Sequence, residues 1–99
     1  MNTFEIKKSV AKEVCRHTIL AAYSTVGFNG SPPDLASVLR EDLEELQKLE
    51  HSPIVDAAIR LVEIAIIHAA KPTTKSHTEA RVARDELGDF LISAKEVKG

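Results

Sequence analysis

Ninety-nine residues with 43% apolar and 28% charged side chains make one small domain spanning 1–99 and exclude a disordered or low-complexity chain. A single cysteine, Cys15, excludes a disulfide scaffold and a four-thiolate zinc site. A net charge of −2 argues against coating nucleic acid by charge alone. The longest uncharged run, Thr18 to Pro33, is broken by Ser, Thr, Asn and Gly, so no membrane span is expected. Met1 to Lys12 is charged throughout, unlike a secretory signal, so a cytoplasmic protein is expected.

Start and stop signals divide the chain into four helices at about 3–26, 32–50, 53–71 and 76–96, an all-α, four-helix bundle-like domain. Asn2 with Glu5 has the spacing of a capping box. Ser31-Pro32-Pro33-Asp34 combines a cap, an early proline and an acid in the first turn. Ser52-Pro53 marks a third start and Ser76-His77-Thr78-Glu79 a fourth. Gly27 and Gly30, His51-Ser52 and Pro72 supply the breaks between them. No segment alternates apolar and polar residues like a strand.

The apolar faces follow from about 100° of rotation per residue. The first helix gathers Phe4, Val10, Ala11, Val14, Cys15, Ala22 and Val26, which makes Cys15 a small core residue. The second carries Leu35, Val38, Leu39, Leu43, Leu46 and Leu49, with Glu41, Glu44, Glu45 and Lys48 opposite. The fourth turns Val82, Ala83, Leu87, Phe90, Leu91, Ala94 and Val97 inward. The third is apolar nearly all round, leaving Asp56, Arg60 and Glu63 as an exposed line. Three short neighbours can hardly cover it, so a homo-oligomer is expected, with Ile66 and Ile67 near the interface.

Charge is uneven. Lys7, Lys8, Lys12 and Arg16 outnumber Glu5 and Glu13 before residue 32. Six acids, Asp34, Glu41, Asp42, Glu44, Glu45 and Glu50, then outnumber Arg40 and Lys48. Lys8, Lys12 and Arg16 recur every four residues, with Tyr23 two turns on. Like charges at that spacing repel by roughly 0.2–0.5 kcal/mol per pair. The stripe is therefore either a solvated face or a surface for an anionic ligand or an acidic partner, such as the second helix of a neighbouring copy.

The histidines form no metal-site pattern. Cys15 and His17 diverge by about 200° on a helix and cannot share a proton. Glu13 can orient His17 from one turn away, which reads as a satisfied boundary histidine. His51 and His77 fall at helix starts and are expected to be exposed, while His68 suits the negative end of its helix. A helix-turn-helix across Lys71–Lys75 fits poorly, because the preceding helix is too apolar and Glu79, Asp85 and Glu86 oppose phosphate, so nucleic acid is not the expected partner.

Asp85-Glu86-Leu87-Gly88-Asp89-Phe90-Leu91 resembles the second metal motif of the MazG-type all-α nucleoside triphosphate pyrophosphohydrolases. The resemblance implies an Mg²⁺ enzyme in which Glu86 and Asp89, with Glu41 and Glu44 from the earlier acidic helix, hold the metal that activates water. It covers about ten residues and the generic acidic helix. The complete apolar helix at 53–71 separates the two motifs more widely than the family's pattern, and Glu41, Glu44 and Asp89 lie off the apolar faces. The reading taken is therefore a non-enzymatic helical oligomer, an accessory, inhibitory or regulatory factor that binds a protein or a small anionic ligand through Lys8, Lys12, Arg16 and Tyr23. The pyrophosphohydrolase is the alternative, and a nucleic-acid-binding regulator the lower one.

Overall fold

A computed structural model describes residues 5–25, 35–93 and 95–97. Four helices pack against one another: α1 (Lys8–Ser24), α2 (Leu35–Gln47), α3 (Pro53–Ala70) and α4 (Thr74–Ser93). The all-α, bundle-like expectation holds. Two three-residue strands, β1 (Glu5–Lys7) and β2 (Lys95–Val97), pair in parallel with Ile6 opposite Glu96. Helix one therefore starts at Lys8 rather than near residue 3, and helix four ends at Ser93, with Val97 in a strand. A three-residue pairing between chain ends is too short and too non-local to leave a periodicity in the sequence. Asn2, Phe4, Val26, Gly27, Gly30, Ser31–Asp34 and Ala94 lie outside the described residues.

Helix α3 is the centre of the domain. It packs on α1, α2 and α4, while α1 and α4 barely meet and α2 and α4 do not touch. Its buried residues include Ile54, Val55, Ala58, Leu61, Val62 and Ala65. The exposed line is longer than expected, running Asp56, Arg60, Glu63, Ile67 and Ala70. Ile67 is 62% exposed, whereas Ile66 is half-buried against the core. Small residues of α1 and α4, Ala21, Ala80 and Ala83 among them, are buried in the same core, and the three neighbours cover the rest of α3.

The partner helices show why. On α1 the buried face is Val14, Thr18 and Ala21, continued by Thr25 just past its end, and Cys15 is exposed rather than part of the core. Thr18 and Thr25 enter the core because each hydroxyl donates back to its own helix, to the Val14 carbonyl at 2.7 Å and the Ala21 carbonyl at 2.8 Å. On α4 the buried face is Ser76, Ala80, Ala83 and Leu87, and Val82 is exposed. On α2, Leu39 and Leu46 are buried, Leu35 and Leu43 are half-buried and Val38 is exposed, while Leu49, past the helix end, is half-buried.

Helix α3 starts as the sequence indicates. Ser52 caps it, accepting from the Val55 N–H at 3.2 Å, with Pro53 in the first turn. It ends before Pro72, where the Lys71 N–H donates to the Ile67 carbonyl at 3.0 Å. Helix α4 begins earlier than Ser76. Thr73 is its cap, and Thr73 and Ser76 bond reciprocally: the Ser76 N–H donates to Thr73 Oγ1 at 3.0 Å and the Thr73 N–H to Ser76 Oγ at 3.1 Å. His68, fully buried, places Nδ1 2.6 Å from the same Ser76 hydroxyl. One side chain thereby joins the end of α3 to the start of α4. His77 is half-buried rather than exposed, its ring centroid 6.1 Å from that of His68.

Replacing Ser76 with Ala removes the partner of the Thr73 N–H and of a buried imidazole nitrogen together. The expected cost is about 1–3 kcal/mol, against about 1 for Ser52→Ala, which removes a cap alone. Urea unfolding of the two variants beside the wild type measures the difference.

Candidate functional site

The α1 stripe lies diametrically opposite the buried Val14–Thr18–Ala21–Thr25 face, so the packing that seats α1 on α3 also turns Lys12, Arg16 and Tyr23 to solvent. Tyr23 is 77% exposed. Lys8 begins the helix, and its side chain lies outside the described residues. Ile19, at 55% exposure, completes the line and was missed as a site residue. Its signal was available, since Lys12, Arg16, Ile19 and Tyr23 follow one another at steps of four, three and four. The stripe is therefore basic at its N-terminal half and apolar at its C-terminal half. Neither Lys12 nor Arg16 forms an ion pair with a described residue.

Beside it, α1 and α2 enclose a polar cleft lined by Arg16, His17, Glu41, Asp42, Glu44 and Glu45. His17 bridges the two helices, with Nε2 3.0 Å from Glu13 Oε2 and Nδ1 2.9 Å from Asp42 Oδ1. Glu13 was legible one turn before His17. Asp42 was not, because nothing local links residues 25 apart in sequence. The Lys48 ammonium, 3.0 Å from Glu45, holds that exposed carboxyl below its ordinary range, with smaller contributions from His17 and Arg16. Part of the acidic charge of α2 is thus met by α1 of the same chain, which bears on the expectation that α2 of a neighbour answers the basic stripe.

The carboxylates suggested as Mg²⁺ ligands are not brought together. Glu41 and Glu44 are exposed on α2, Glu86 and Asp89 lie on α4, and α3 stands between helices that share no contact. Glu86 instead meets Arg60 of α3 at 3.4 Å. Among the described residues, no group of three His, Cys, Asp or Glu side chains is placed to hold a metal ion. His51, exposed as expected, contacts Asp56 at 3.1 Å, a pairing of little energetic weight at that exposure. No helix among the described residues is long and apolar enough to cross a membrane. Compared with protein-family models, curated proteins and solved structures, the chain matches none.

His17→Ala leaves the half-buried Asp42 without its partner on α1, and a loss of about 1–2 kcal/mol is expected. Lys48→Ala, at a solvated pair, is expected to cost less than about 0.5 kcal/mol. Thermal unfolding of both variants orders them, and equal losses would remove His17 as the α1–α2 tie. Purified protein with Mg²⁺ is expected to release no pyrophosphate from nucleoside triphosphates. Release that Glu86→Gln abolishes would restore the enzymatic reading.

Proposed function

We propose that this chain is a non-enzymatic binding protein of the cytoplasm, an accessory, inhibitory or regulatory factor that engages another protein through the outer face of α1. The observation that carries the reading is the solvent-facing line Lys12, Arg16, Ile19 and Tyr23, two cations followed by two large apolar side chains on one side of one helix. Arg and Tyr are the residue types that anchor protein interfaces, and each supplies an extended apolar body with a polar end. A small anion is less well served. The stripe is convex, and such ligands need a concave site that removes them from water. An acidic and apolar protein surface matches both halves of the line, and its burial would raise the worth of each Lys or Arg contact from near nothing to about 1.5–3 kcal/mol.

A photo-crosslinking residue at position 23 tests this in cells, with the same residue at the exposed position 75 as control. Expected are discrete adducts from position 23 alone, abolished by Lys12→Glu with Arg16→Glu in a variant whose circular dichroism is unchanged. Adducts of equal pattern from both positions, or adducts indifferent to the charge reversal, would reduce the stripe to a solvated helix face.

A further inference from the structure

Arg84 of α4 is a half-buried cation for which the described residues supply no counter-ion. It sits at the margin of the buried Ala80–Ala83–Leu87 face. Its Nε is closed off from water and has no hydrogen-bond partner. No ion pair between described residues includes it. Its own helix offers no remedy. The positions one turn away, Ala80, Arg81, Leu87 and Gly88, hold no acid. Asp85 is exposed and lies about 100° round the helix, and Glu86 is engaged by Arg60 at 3.4 Å. An enclosed charge is ordinarily paired and an enclosed N–H ordinarily bonded. The adjoining surface adds charge of the same sign. Arg81, three residues earlier and exposed, sets a second guanidinium alongside, although like charges at that spacing repel. One turn beyond Arg84, Gly88 leaves open space: beyond its own stretch of helix, nothing lies within 4 Å of where a Cβ would stand. A glycine inside a helix weakens it, and no contact at that point requires one.

We propose that Arg81 and Arg84 bind the phosphate group of a small ligand, seated in the space beside Gly88. Two guanidiniums one turn apart match a doubly charged, tetrahedral group whose oxygens both can reach, whereas the two oxygens of a carboxylate are filled by a single arginine fork. The partial enclosure of Arg84 excludes part of the water that would screen such a contact. A nucleic-acid backbone is less well served, because the exposed carboxylates of Glu79 and Asp85 flank the two arginines and oppose the phosphates on either side. The site lies on α4, apart from the α1 face, and neither depends on the other.

Titration of the isotopically labelled chain with inorganic phosphate, at an ionic strength held constant with chloride, reads the arginine Nε–H resonances one by one. Saturating shifts at Arg84 and Arg81 are expected, with one dissociation constant in the millimolar range or tighter, and none at Arg40 on α2. Arg84→Gln is expected to weaken binding at least tenfold, and Arg84→Lys, which keeps the charge and loses the fork, severalfold. Gly88→Leu fills the space with a better helix former. It is expected to keep or raise thermal stability and still to weaken binding tenfold, which an arginine of purely structural role would not explain. Absence of saturation through tens of millimolar phosphate overturns the proposal, as does binding indifferent to Arg84→Gln or to Gly88→Leu. Acetate that saturates the same resonances more tightly than phosphate overturns the assignment to a phosphate group.

Discussion

Helix α3 needs cover on most of its circumference, and the rest of the fold is arranged to provide it. Each Ile, Leu or Val taken from water there contributes about 1.5–3 kcal/mol, more than any single polar contact in the domain. A helix so apolar has no stable place at the surface, so α1, α2 and α4 are all placed around it. Close approach then matters more than bulk. Alanines at 21, 80 and 83, a serine at 76 and threonines at 18 and 25 face it, and bulkier residues there would hold the helices apart.

Crowding three helices round one brings polar atoms inward, and two histidines resolve the resulting demands differently. His68 is wholly buried and works within a single corner, its ring against the Ser76 hydroxyl that also completes the first turn of α4. Loss of that hydroxyl would remove one partner from the buried His68 ring and one from the Thr73 N–H. His17 sits at the margin and spans two helices, held by Glu13 on its own helix and by Asp42 across the gap. The His17 and Asp42 side chains are only 12% and 16% exposed, so this second arrangement both ties α1 to α2 and adds to stability.

Much of the helical layout was legible in the sequence because its signals are local. Ser52 and Pro53 act within one turn, as do Pro72 and the leucine stripe of α2. The departures come from residues whose side chains change character with context. Thr18 and Thr25 count as polar in a periodicity, yet bonding to their own backbone turns a methyl group toward the core. Cys15 counts as apolar, yet it falls between Lys12 and Ile19 on the exposed side. Thr73 and Ser76 together form one cap, and the serine alone looked like the start of the helix. At the candidate site, Lys12, Arg16 and Tyr23 were legible from spacing. Ile19 was passed over because an isoleucine is ordinarily assigned inward, and Asp42 because its partner is distant in sequence.

The same central constraint explains why the surface stripes are where they are. Helix α3 is large enough in apolar area to hold its neighbours by one face each, so α1 and α4 spend little of their surface on each other. Their outward faces are thereby released from packing. A released face of purely stabilising origin would be filled with polar residues, which are inexpensive in water. Ile19, Tyr23, Val82 and Ile92 instead place large apolar side chains there, with Ile19 and Tyr23 following the two cations of α1. Single exposed apolar residues are ordinary, but Ile19 and Tyr23 lie one turn apart on one face of one helix and so add to a single apolar patch.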